Sequence, residues 1–94
     1  MKGCINNLIT LYQEHLNLHN SIFSHIDHED AMVAIVYKVT QPNREQLILK
    51  ICDRPTDYLR EMYFLKHFAG ILPVPKIIQS VEPTEGIHGA ILME

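Results

Sequence analysis

A lysine stands in the middle of an apolar run, Leu47-Ile48-Leu49-Lys50-Ile51, and it constrains the fold more than any other residue. An ammonium withdrawn from water without a partner costs several kcal/mol even after relaxation. A strand lysine therefore either snorkels out at an edge or meets a carboxylate or phosphate. Glu61, eleven residues further on in a strongly helical segment, is the nearest downstream carboxylate with an apolar setting. Tyr58, Leu65 and Phe68 lie at helical spacing from it, which argues against a fully solvated glutamate. The chain must then bring a strand and a helix together so that Lys50 and Glu61 meet. The competing reading is a solvent-facing lysine that blunts a sheet edge.

The rest of the chain supplies elements for such a fold. Ile5, Leu8, Ile9, Tyr12 and Leu16 recur at helical spacing, predicting an amphipathic leading helix over 4–18. Ser21 to Ile26 is a weak strand, followed by a polar turn over His25-Ile26-Asp27-His28-Glu29-Asp30. Val33, Ile35, Tyr37 and Val39 alternate with Ala34, Val36 and Lys38, which predicts a strand. Gln41-Pro42-Asn43-Arg44-Glu45 connects it to the Lys50 strand as an antiparallel hairpin, with Lys50 opposite the leucine face.

Pro55, with Asp53 and Thr56 near it, starts a helix that runs to Ala69, where Gly70 is placed to stop it. Leu72-Pro73-Val74-Pro75 is a rigid extended crossover, because each proline turns its predecessor away from helix. Lys76 to Val81 and Ile87 to Met93 make a second hairpin around Glu82-Pro83-Thr84-Glu85-Gly86. The expected fold is α+β: a five-stranded antiparallel sheet with one inserted helix, 55–69, and a leading amino-terminal helix. Residues 1–94 read as a single incomplete domain, with the sheet and inserted helix over 20–94. Ala90-Ile91-Leu92-Met93-Glu94 has the apolarity of a core strand, so the chain is expected to be part of a longer protein.

Charge and cysteine usage narrow the function. Eight Lys and Arg against eleven Asp and Glu leave a formal charge of −3, which argues against a nucleic-acid partner gripped by bulk electrostatics. Cys4 and Cys52 lack CxxC spacing and read as free thiols of a reducing cytoplasm. No signal peptide is apparent over Ile5 to Leu11, which Asn6, Asn7 and Thr10 interrupt, and no run reaches the length of a membrane span. His15, His19, His25 and His28 have permissive spacing for a metal but complete no HExxH or CxxC pattern. Neither Cys4 nor Ser21 lies in a nucleophile elbow.

Val36-Tyr37-Lys38-Val39, Leu47-Ile48-Leu49-Lys50-Ile51, Glu61 and Leu72-Pro73-Val74-Pro75-Lys76, in that order and spacing, resemble the amino-terminal lobe of the aminoglycoside phosphotransferase and choline kinase-like family. The resemblance covers about residues 25–94. It implies that Lys50 touches the α and β phosphates of ATP and that Glu61 holds it in position. Val36 and Ile48 would flank the adenine, although both are equally readable as sheet core. Ile91 to Glu94, with Met93 and Glu94 at its end, would be the hinge strand whose backbone meets the adenine edge.

The family's catalytic aspartate, Mg2+ ligands and acceptor pocket belong to a carboxy-terminal lobe. The resemblance therefore implies the nucleotide-binding half of a small-molecule phosphotransferase, catalytically incomplete as given, in a protein whose lack of a signal peptide or membrane span already makes a cytoplasmic location the expectation. Where kinase-like folds place glycine to let backbone approach phosphate, this chain has Asp30-Ala31-Met32 preceded by Glu29. That departure favours the alternative, a non-catalytic remnant or interaction module with a kinase-like lobe. Self-association is also expected, through an inter-lobe face that includes the final apolar strand.

Overall fold

Why the leading helix ends where it does is visible in its last turn. The computed structural model describes residues 5–26 and 34–94 of the chain, and in it helix α1 spans Ile5–Leu16. Asn17 adopts φ 55°, a left-handed conformation open mainly to glycine and asparagine. The Leu18 N–H then donates to the Gln13 carbonyl at 2.9 Å, five residues back, while the Leu18 side chain packs into the core. This Schellman-type stop ends the helix two residues short of the expected boundary at 18; Cys4, its expected first residue, lies outside the described residues.

Strand β1 (Ile22–Ile26) follows and pairs antiparallel with β2 (Ala34–Thr40). His25 and Ile26, expected both at the end of the weak strand and in the turn after it, belong to β1 opposite Tyr37 and Val36. Val33 and the segment Glu29-Asp30-Ala31-Met32 lie outside the described residues. The connection that leaves β2 closes with the Arg44 N–H donating to the Gln41 carbonyl and the Gln41 N–H to the Glu45 carbonyl, both at 2.9 Å. Arg44 takes φ 72° there, the left-handed position that follows a turn in such hairpins.

Strand β3 (Gln46–Cys52) carries the alternation that sorts the core into two layers. Leu47, Leu49 and Ile51 face one layer, with Tyr12, Leu16, Tyr37, Val39, Ala90 and Leu92, so α1 covers that side. Ile48 and Cys52 face the other, with Tyr58, Leu65, Ile91 and Met93, under helix α2 (Pro55–His67). The two helices thus lie on opposite faces of one sheet.

Pro55 opens α2 at a position where a missing N–H costs nothing. Arg54 is its N-cap without a side-chain cap bond, so neither Asp53 nor Thr56 performs that role. The helix ends at His67 rather than Ala69. The Phe68 carbonyl instead accepts the N–H groups of Ile71 and Leu72 at 3.0 Å each, a turn made possible by Gly70 at φ 79°.

The chain then returns as β4 (Ile77–Val81) and β5 (Ala90–Met93). The second hairpin is shorter in regular strand than expected. Thr84 and Ile87 close a tight turn with reciprocal 3.0 Å hydrogen bonds and Gly86 at φ 85°, and residues 88–89 lie outside the regular strand, tied to β3 where the Gly89 carbonyl accepts the Cys52 N–H at 2.8 Å. An added Cβ on Gly89 would stand 2.6 Å from the Tyr58 ring, so glycine lets the backbone pass under α2.

The finished sheet is antiparallel with the order β1-β2-β3-β5-β4. Ile78 is the extra residue of a bulge against β5, half exposed, and the bulge moves Gln79 to the α1 side, where its amide donates to the Leu16 carbonyl at 3.1 Å. The α+β architecture with a five-stranded antiparallel sheet, a leading helix and an inserted helix is the one expected from the sequence. Among the described residues no helix is long and apolar enough to cross a membrane.

Candidate functional site

Lys50 leaves β3 on the α2 side, and Glu61 leaves the second turn of α2 toward it. The Lys50 Nζ donates to Glu61 Oε1 at 3.2 Å, with the two side chains 30% and 31% exposed. Sequence reasoning placed this pair correctly. The strand alternation set the face and the helical spacing of Tyr58 and Leu65, both buried, set the rotation of α2. Exposed ion pairs contribute about 0–1 kcal/mol to stability. The pair is therefore a weak fastener, and its main physical effect is to fix where the ammonium points.

The pair borders a cleft of about 360 Å³, whose wall includes Ala34 and Cys52 from the sheet and Arg54, Asp57 and Arg60 from the start of α2. Arg54 grips Asp57 with two bonds, Nε to Oδ2 at 3.0 Å and its terminal nitrogen to Oδ1 at 3.2 Å. That guanidinium holds the Asp57 carboxyl below the usual carboxylate range, with the nearby charge of Arg60 acting in the same direction. The Cys52 thiol is pushed up to about 11, first by burial; Lys50 opposes the shift, and Glu61 and Asp57 reinforce it. Cys52 is thus a protonated, unreactive wall of the cleft near neutral pH.

The other expected residues fall in two groups. Val36 pairs directly with Lys50 across β2 and β3, and Ile48 precedes Lys50 by two residues on the same face. Both are half-buried, and Ile48 also packs against the α2 layer. The structure therefore brings Lys50, Glu61, Val36 and Ile48 to one face.

Met93 and Glu94, the expected hinge residues, have backbone already paired at the end of β5. β5 is an interior strand flanked by β3 and β4, Met93 is buried between Ile48 and Ile77, and the Glu94 N–H donates to the Lys76 carbonyl at 3.0 Å. The expectation that this last apolar strand stays exposed is corrected. All four residues of β5 are buried, because the strand is sandwiched within the sheet and between the two core layers. The exposed large apolar side chains are elsewhere, among them Leu59, Tyr63 and Phe64 on α2 and Ile71 and Leu72 after it.

Among the described residues, no group of three His, Cys, Asp or Glu side chains could hold a metal ion. His15 and His19 are exposed, His25 sets its ring edge against Tyr37 at 5.6 Å between centroids, and His28 lies outside the described residues, as does Cys4. The contributions that sequence reasoning missed are those of Arg54, Asp57 and Arg60 to the cleft. The available signal was their helical spacing with Glu61, which puts residues 54, 57, 60 and 61 on one side of the helix start. Compared with known proteins, the sequence matches no family model and no curated protein.

Proposed function

We propose that the chain is the ATP-binding lobe of a small-molecule phosphotransferase of the aminoglycoside phosphotransferase type. The single observation that carries this reading is the Lys50–Glu61 pair, 3.2 Å apart, bordering a cleft with Val36 and Ile48 on the same sheet face. A half-solvated pair of this kind adds little stability. It does hold an ammonium in place beside a cavity, which is what phosphoryl transfer requires of a charge set before the transition state.

The residues fit the group they would bind. In this reading Lys50 takes the inner phosphates, Glu61 keeps its ammonium from reorganising, and Val36 and Ile48 offer an apolar surface to the base. Glu94 can offer the base edge only its carbonyl, since Lys76 takes its N–H, and Met93 serves as packing. Mg2+ and the phosphoryl acceptor would be held by a second lobe, so these 94 residues bind nucleotide without transferring phosphate.

Titration of the folded chain with Mg-ATP tests the reading. Saturable binding is expected in wild type and its loss in Lys50→Ala, which should keep the wild-type circular dichroism spectrum and lose no more than about 1 kcal/mol of stability. A second reading, a non-catalytic interaction module, is favoured by the glycine-free Glu29-Asp30-Ala31-Met32 segment. It would replace the first if folded wild-type protein took up no nucleotide at millimolar concentration.

A further inference from the structure

The cleft beside Lys50 has one cation more than its carboxylates account for. Lys50, Arg54 and Arg60 face Asp57 and Glu61 around it. Glu61 is engaged by Lys50 at 3.2 Å, and both oxygens of Asp57 are engaged by Arg54 at 3.0 and 3.2 Å. Arg60, next to Glu61 in α2, has an exposed side chain on the same wall. Among the described residues neither an ion pair nor a hydrogen bond engages its guanidinium. An uncommitted guanidinium beside a positioned ammonium suits a polyanion with more than one charged group. Its planar fork matches a terminal phosphate, which offers three oxygens and the most negative charge.

We propose that Arg60 contacts the outermost phosphate of a nucleoside triphosphate whose inner phosphates lie on Lys50. The inference rests on the nucleotide-binding reading above and adds to it a residue that distinguishes a triphosphate from a diphosphate. Arg60 is exposed and contributes nothing to either core layer, so its replacement leaves the fold intact.

The test measures the affinity of the 94-residue chain for Mg-ATP, Mg-ADP and inorganic tripolyphosphate in wild type, Arg60→Ala and Arg60→Lys. Arg60→Ala should weaken ATP and tripolyphosphate by about tenfold or more, as expected for one charge-assisted contact, and leave ADP unchanged. Arg60→Lys should recover part of the loss, because a point charge replaces the fork. Equal loss for ATP and ADP, or no loss for either, overturns the proposal while leaving the nucleotide reading in place if binding still depends on Lys50. Arg60-dependent binding of tripolyphosphate without any nucleotide binding would overturn the nucleotide reading and retain Arg60 as an anion contact. Failure of all three probes to bind at millimolar concentration removes both.

Discussion

Lys50 and Cys52 leave the same strand on the same face two residues apart, yet they meet opposite fates. The lysine keeps nearly a third of its side chain in water and finds a carboxylate, whereas the thiol is buried and protonated. On the other layer, the Tyr12 hydroxyl donates to the His88 carbonyl, and burial, with the Cys52 charge adding to it, pushes it up to about 12. Both acids hold their protons more tightly in the folded chain than in the unfolded one. Between about pH 9 and pH 12 the unfolded state therefore binds fewer protons, and stability falls as pH rises through that window. Below it, their contribution is complete and constant. Urea titrations from pH 8 to pH 11.5 should show a falling midpoint, and Tyr12→Phe should flatten the fall while losing about 1 kcal/mol at neutral pH. An unchanged midpoint across the series would refute the assignment.

At the scale of the element, α2 is held to the sheet by few side chains. Tyr58 and Leu65 are its buried residues, with Met62 partly buried, while Leu59, Tyr63 and Phe64 face outward. Leu65→Ala should cost about 2–5 kcal/mol and Leu59→Ala less than about 0.5 kcal/mol, measured by chemical denaturation. Comparable losses from the two would mean that α2 is rotated relative to the seat described here.

The helix was legible in the sequence because Pro55 and the apolar spacing act locally, as were the Lys50 face and its pairing with Glu61. Its last two expected residues were lost because the Phe68 carbonyl finds partners in the following turn, a competition that only the folded path reveals. The strand calibre of β1 was faint for the same kind of reason. Its exposed Ile22, Ser24 and His25 are fixed by pairing with β2 rather than by any pattern of their own. The cleft was half legible: Lys50 and Glu61 stood out as charges in apolar settings, whereas Arg60 looks like any solvated helix residue until its neighbours are seen to be engaged.

At the scale of the whole molecule, strand order decides where rigidity resides. β2, β3 and β5 each have two strand neighbours, while β1 and β4 form the edges. β3 and β5 are also covered on both faces by the two core layers. Amide hydrogen exchange should be slowest in β3 and β5 and fastest in β1, with protection in β1 equal to that in β5 as the contrary result.

The insertion of β5 between β3 and β4 also dictates an order of events in time. The hairpin of β2 and β3 can form from neighbouring sequence, but β4 has no strand to join until residues 90–93 arrive to bridge it to β3. A growing chain on the ribosome would carry β4 unpaired through that interval, with α2 seated on β3 alone, since loop closure across the helix must precede any gain from pairing. Closure of this sheet therefore waits for residues 90–93, and the interval just before these four buried residues emerge is the one in which β4 has no partner.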